Sequence, residues 1–262
     1  MNISYTYVIP TYNSEKYLKT CLNSLNNQTY SNIEVLIIDK SSIDKTSEII
    51  NSFDSLNITL LNQKDDHPEN AVALGFKKST GDFIQFLGSD DFLVDEDSLY
   101  NLNKLISKDD MLVCCDYLKV NEKQEIIEKV KTKFDYKKLL NIGNDVCATS
   151  FLFNRKLFDI HGFDGLEGFD LHLMLRFGRN YGVNKINLFY SCFRVHNQSH
   201  SGNFKKNLRN IKLDYKISMN HNGFKINNYA LRFFLIYILN KLNLLWLAKL
   251  KRFLNWRIKK IY

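Results

Sequence analysis

The sequence predicts an α/β protein: a mostly parallel central sheet flanked by helices, with a helical C-terminal extension. Three observations carry that prediction. The runs Ile33–Ile38 and Phe83–Leu87 are apolar nearly throughout, the pattern of strands covered on both faces. Between such runs, apolar residues recur at helical spacing. Strand and helix patterns also alternate one for one over roughly the first ninety residues. A parallel sheet wrapped by helices is the arrangement that buries all of those apolar faces.

Tyr5-Thr6-Tyr7-Val8-Ile9 reads as the first strand, ended by Pro10. Asn13 or Ser14 can cap the next helix, in which Tyr17, Leu18, Cys21, Leu22 and Leu25 share a face. Ile33–Ile38 is the second strand and stops at Asp39. Asp44 opens a helix to about Phe53, and Ile58–Leu61 is the third strand. Pro68 suits a first helical turn and Gly81 a helix end, bracketing a helix over roughly 69–79. Phe83–Leu87 then runs into Gly88-Ser89-Asp90-Asp91. Further strands are read at Met111–Cys115, Ile126–Val130 and Thr149–Phe153. A helix from Asp170 to about Asn180 precedes a last strand, Val183–Val195, which ends in His196.

At 262 residues, 45% hydrophobic and 24% charged, the chain has the bulk of one large globular domain with an extension. Two prolines and eleven glycines leave no room for a long disordered linker. The five cysteines (Cys21, Cys114, Cys115, Cys147, Cys192) form no CxxC pair and read as small core residues of a reducing compartment. The start, MNISYTYVIPTYN, lacks a basic segment followed by an apolar one, so a cytoplasmic location is expected.

The net charge of +8 is unevenly spread. From Asn203 onward there are fourteen Lys/Arg against one acid, whereas residues 1–202 carry a net −5. A nucleic-acid binder would be basic on its body, so nucleic acid is excluded as a partner. The tail, LRFFLIYILNKLNLLWLAKLKRFLNWRIKK, mixes apolar clusters with bases. Its longest uncharged run, Phe233–Asn240, is far short of the ~20 residues a membrane span needs. Trp246, Trp256 and the flanking bases suit a helix lying on an anionic membrane surface. A helix packed on the body is the alternative.

In parallel sheets, ligands bind beyond the carboxyl ends of the strands. Three segments arrive there together: Pro10-Thr11-Tyr12-Asn13, Asp39 with Ser41-Ser42, and Ser89-Asp90-Asp91. Two adjacent acids, without Cys or His at zinc-like spacing, suit a hard cation such as Mg²⁺ or Mn²⁺, which completes its shell with phosphate and water. Neither GxxxxGK[ST] nor GxGxxG is present to cradle phosphates.

VIPTYNSEKYLKTCLNSLNNQTYSNIEVLIIDKSSIDKT, then KDDHPENAVALGFKKSTGDFIQFLGSDDFL, resembles glycosyltransferase family 2, the nucleotide-sugar transferases of GT-A fold. The resemblance runs in the family's order from residue 4 to about 200. It implies a nucleotide-binding half over 1–110, an acceptor half over 111–202, and a tail over 203–262. Carried over residue by residue, Pro10, Thr11, Tyr12 and Asn13 lie at the nucleotide and Asp39 accepts from the uracil N3–H. A turn cap is the plain alternative for Asp39. Asp65 is expected near the ribose or base, and Ser89, Asp90 and Asp91 form the acidic signature, with Asp90 on the metal. The family commonly has another Asp where Gly88 stands, a second Asp where Lys40 stands, and a glycine where Ser41 stands.

The resemblance also implies an acid as general base at a helix start. The stretch Leu166-Glu167-Gly168-Phe169-Asp170-Leu171 puts Gly168 at the usual place, which leaves Glu167 first and Asp170 second, the latter with a helix-capping alternative. Phe193-Arg194-Val195-His196 resembles the family's Arg-x-His segment. There Arg194 or His196 contacts the diphosphate, or His196 is a further metal ligand. The implied activity is inverting, Mn²⁺- or Mg²⁺-dependent transfer from a UDP-sugar to a lipid-linked saccharide acceptor. The implied setting is surface-polysaccharide synthesis, peripheral to the inner face of the plasma membrane. A catalytically inactive sugar-nucleotide binder and a nucleotidyltransferase are the rival readings.

Overall fold

The computed structural model describes residues 2–63, 68–142, 147–163 and 169–196, together with residues 216, 217, 219 and 220. Nine strands form a single sheet in the order β3-β2-β1-β4-β8-β6-β9-β5, with β7 also paired to β6. They are β1 (Tyr5–Thr11), β2 (Ile33–Asp39), β3 (Ile58–Asn62), β4 (Phe83–Phe86), β5 (Phe92–Leu93), β6 (Leu112–Val120), β7 (Ile126–Val130), β8 (Phe151–Asn154) and β9 (Asn184–Arg194). The helices are α1 (Leu18–Asn26), α2 (Thr46–Asn51), α3 (Pro68–Lys78), α4 (Ser98–Leu105), α5 (Tyr136–Ile142), α6 (Lys156–His161) and α7 (Phe169–Tyr181).

The first four strands pair in parallel, as the apolar runs predict. Past β4 the sheet becomes mixed: β8 runs antiparallel to both β4 and β6, while β9 runs parallel to β6. One face buries α1, α2 and α4 on Tyr7, Ile9, Val35 and Ile37; the other buries α3, α6 and α7 on Val8, Leu36, Ile38 and Ile84. That alternation along β1 and β2 is why both strands are apolar at successive positions.

Helix α3 lies close on β1 because residue 75 is glycine. A Cβ there would sit 2.3 Å from Val8 Cγ1 and 3.0 Å from Ile38 Cδ1. Gly75→Ala gains helix propensity of about 1 kcal/mol. Overpacking against β1 costs roughly 1–3 kcal/mol. The expected outcome is a lower melting temperature by circular dichroism.

Several sequence boundaries shift. Pro10 lies inside β1, not at its end. The β1–β4 ladder stops at Val8–Phe86, so on that side nothing waits for the missing N–H. Helix α1 starts at Leu18, because residues 14–17 form a turn tied to neighbouring loops. Asp44 accepts from the Thr46 amide, and α2 begins there. The helices α4, α5 and α6 and the short strand β5 were not read from the sequence. Among the described residues no helix is long and apolar enough to cross a membrane. Of the basic tail little is described, but Ile217 is buried within the core on the α3–α7 face, so this part of it packs on the body.

Candidate functional site

The site is built at the carboxyl ends of β1, β2 and β4. In the parallel register Thr11 stands opposite Asp39, and the Thr11 hydroxyl donates to Asp39 Oδ1 at 2.7 Å. The Ser42 amide donates to Asp39 Oδ2 at 2.7 Å and the Ser42 hydroxyl to Oδ1 at 2.6 Å. Asp39 is 3% exposed. The turn-capping alternative is thus realised, yet a carboxylate has about four lone-pair sites, and these three bonds leave room at Oδ2 for one more donor. Ser41 takes φ 53° and Asn13 φ 49°. Both are left-handed, a conformation that glycine, the residue the family resemblance implies at position 41, adopts without steric cost.

Loops carry this corner across to the acids. Asn13 receives the Ile43 amide and gives its own to Ser42, and the Ser14 and Ser89 hydroxyls share a 3.0 Å hydrogen bond. Tyr12 stands 57% exposed, with Lys40 Nζ 4.9 Å from its ring centroid. Pro10, Thr11, Tyr12, Asn13, Asp39 and Ser89 therefore gather at one end of the sheet. Asp65 and Glu167 lie outside the described residues, as does most of the tail.

After β4 the chain turns, with the Asp91 amide bonded to the Gly88 carbonyl. β5 pairs antiparallel with β9, Phe92 opposite Cys192, and this brings Arg194 and His196 beside the two acids. His196 Nε2 lies 2.8 Å from Asp90 Oδ2, and its ring packs on Tyr17 at 4.9 Å. The Arg194 amide donates to Asp91 Oδ1 at 2.9 Å. Asp91 is 3% exposed. Burial, then the adjacent Asp90 charge, push its carboxyl well above the usual carboxylate range, against the pull of the Arg194 N–H.

Arg194, which the sequence offers together with His196 as a diphosphate contact, is buried here. Its side chain is 1% exposed: Nε donates to the Asp90 carbonyl, Nη1 to the Glu122 carbonyl, and the rings of Tyr17 and Phe92 lie 4.6 and 5.1 Å from its guanidinium carbon. Arg194 supports the acidic turn from behind. Glu122, at the β6–β7 turn, completes the arrangement by accepting from Lys16 Nζ at 2.6 Å and the Tyr17 hydroxyl at 3.0 Å. Nothing in its sequence context marked it.

Asp170 sits in the first turn of α7, half-buried. Burial raises its carboxyl, while the amides of Leu171 and of Asp170 itself pull it back. Cys147 lies within electrostatic reach of both Asp91 and Asp170. Burial first, then Asp91, push its thiol up to about 12, so it stays protonated and inert. Asp91 and Asp170 both titrate higher folded than unfolded. Their contribution to stability is therefore full at low pH and is lost as pH rises through the folded values.

Among the described residues no group of three His, Cys, Asp or Glu gathers as a ready-made metal site. The donor set present is two carboxylates with His196 beside them. That fits Mg²⁺ or Mn²⁺, which accept few protein ligands when substrate phosphates supply the rest.

Residues 6–161 match the family described as glycosyl transferase family 2. An uncharacterized glycosyltransferase of Haemophilus influenzae is 31% identical over 173 residues, 64% of this chain and 69% of that protein. The UDP-Glc:alpha-D-GlcNAc-diphosphoundecaprenol beta-1,3-glucosyltransferase WfgD of Escherichia coli is 27% identical over 206 residues, 77% of this chain and 81% of that protein. Other curated relatives are much longer, this chain spanning 15% and 32% of two of them. Among solved structures, the mannosyltransferase PcManGT of Pyrobaculum calidifontis, in complex with GDP-Man and Mn²⁺, superposes with TM-score 0.63. It shares 17% identity, covering 84% of this chain and 65% of that one, a likeness of fold alone.

Proposed function

This chain belongs to glycosyl transferase family 2, and from that premise we propose that it moves a hexosyl or N-acetylhexosaminyl group from a UDP-sugar to a lipid-linked saccharide acceptor, with inversion. The observation that carries the reading is the Thr11–Asp39 pair at 2.7 Å, joined through Ser14 and Ser89 to Asp90 and Asp91 at the same sheet end. A nucleobase imide suits the free position on Asp39, and a diphosphate beyond it falls toward the acids. The activity named for the E. coli relative, which aligns over most of both chains, supports the donor and acceptor classes.

A divalent cation is part of the proposal, with Asp90 as its holder. When bound, it offsets the charge that develops on the departing diphosphate. Thr11 and Asp39 orient the base. Asp170, or Glu167 in the neighbouring loop, takes the proton of the acceptor hydroxyl as the anomeric carbon is attacked. One displacement on the face opposite the leaving group gives inversion. The basic tail, as proposed, holds the enzyme against an anionic membrane surface where the acceptor lipid resides.

Transfer of radiolabelled sugar from a panel of UDP-sugars to a synthetic undecaprenyl-diphosphate saccharide tests the reading. Product in at least one pairing is expected; UDP binding without transfer across the panel overturns it in favour of an inactive binder. For the base, Asp170→Asn is expected to slow turnover by ~10²–10⁴-fold. Because an active base must be ionised and the Asp170 carboxyl is raised, kcat/KM should climb with pH through a midpoint above the ordinary carboxylate range. A mild effect of Asp170→Asn with an unchanged profile transfers the role to Glu167.

A further inference from the structure

The hairpin of β6 and β7 stands off the fold. Every residue from Glu122 to Lys129 is exposed, and among the described residues β7 is an edge strand paired with β6 alone. Ile126 and Ile127 are 54% and 58% exposed. Successive strand residues face opposite ways, so each face of this strand shows an isoleucine to solvent. Apolar side chains side by side on an open edge mark a contact surface.

Lysines follow at once. Residues 123–138 hold six lysines and three acids, a net +3, whereas residues 1–202 as a whole net −5, which leaves −8 for the rest of the body. Each of the three acids already has a protein donor: Glu125 the Asn121 side-chain amide, Glu128 the Lys119 ammonium, and Asp135 the Lys138 backbone N–H at the start of α5. Lys129, Lys131 and Lys138 are exposed and form no ion pair among the described residues.

Position narrows the partner. The hairpin turn lies at the site's end of the sheet, where the Glu122 carbonyl accepts from Arg194 and its carboxylate from Lys16 and Tyr17. Beyond β7, Leu139 and Leu140 of α5 share a core cluster with Ile217. Ile217 belongs to the stretch from Asn203 onward, with its fourteen Lys/Arg against one acid, so that stretch meets the body on the face that α5 covers. Exposed isoleucines beside those three lysines, next to a second basic segment, match a surface with acidic headgroups over apolar chains.

We propose that the β6–β7 hairpin, with the lysines that follow it into α5, docks on an anionic lipid bilayer, the isoleucines at headgroup depth and the lysines on the phosphates. This is a contact of the globular body, separate from the one proposed for the basic tail. It brings the rim of the site, at Glu122 and His196, to the bilayer. The inference does not rest on the sugar-transfer reading, because docking needs no transfer.

Partition of the full chain between buffer and vesicles of equimolar phosphatidylglycerol and phosphatidylcholine, read by cosedimentation, tests this without turnover. Lys129→Gln/Lys131→Gln/Lys138→Gln is expected to weaken binding by about fivefold per lysine, roughly a hundredfold together. Ile126→Ser/Ile127→Ser is expected to weaken it severalfold. All five positions are exposed, so both variants should melt as the wild type does. Wild-type binding by either variant overturns the inference and leaves the tail as the anchor. So does binding of the wild-type chain to pure phosphatidylcholine as strong as to the anionic vesicles. A wild-type chain that binds neither overturns the membrane contacts of body and tail alike, while transfer keeps its own assay. A dimer in sedimentation velocity that Ile126→Ser/Ile127→Ser dissolves, with vesicle binding unchanged, assigns the hairpin to a second copy and refutes the inference.

Discussion

Asp90→Asn is expected to lower kcat/KM for sugar transfer by about 10³-fold, roughly 4 kcal/mol of transition-state stabilisation. The substitution keeps the shape of the side chain and its reach to His196 Nε2. What it removes is the charge facing the room over Gly88, where Asp90 Oδ1 has no donor among the described residues. The loss should appear chiefly in steps that need the diphosphate neutralised. The fold should be unharmed: two acids that repel become one acid and an amide, so the metal-free melting temperature should hold or rise. Steady-state kinetics at saturating Mn²⁺, alongside a thermal melt, separates the two effects. Transfer within a few-fold of wild type would show that Asp90 holds no essential cation.

Arg194→Met is expected to act on stability. The guanidinium is buried, gives hydrogen bonds to the carbonyls of Asp90 and Glu122, and lies against Tyr17 and Phe92. Methionine fills much of the volume but takes the donors from the Asp90 and Glu122 carbonyls and leaves Asp91, which is 3% exposed, without a nearby positive charge. Breaking such a buried charged network costs about 3–5 kcal/mol. For a protein of this size each kcal/mol shifts the melting temperature by about 2–4 °C, so a fall of roughly 10 °C is expected. Arg194→Lys should recover little of it, since a single ammonium cannot span two carbonyls as the forked guanidinium does. A melt within 2–3 °C of wild type (under ~1 kcal/mol at that conversion) would remove Arg194 from its supporting role.

What the sequence revealed of this site follows from one regularity. Strand ends in a parallel sheet converge, so residues just past Ile9, Ile38 and Leu87 had to come to one end; there Thr11 meets Asp39, and Ser14 meets Ser89 beside Asp90. The position of the His196 segment was legible only through family resemblance, because the β5–β9 pairing that delivers it is two residues long on one side. The burial of Arg194 was not legible at all. An arginine near a strand end reads as a surface or phosphate-facing group, and only the tertiary placement of Tyr17, Phe92 and the Glu122 carbonyl turns it inward. Helices α4 and α5 escaped for a similar reason: each is eight residues or fewer, too short for apolar periodicity to register. The left-handed turn at Ser41 was hidden because serine gives no sign of the φ that glycine would advertise.

The account stands on a cation and the Asp39 corner holding one nucleotide together. Titrating UDP into the full chain by calorimetry, once with Mn²⁺ and once with a chelator, tests that most directly. The account predicts binding at least tenfold tighter with Mn²⁺, a difference that disappears in Asp90→Asn. Equal affinity in both buffers, or no UDP uptake in either, would contradict it.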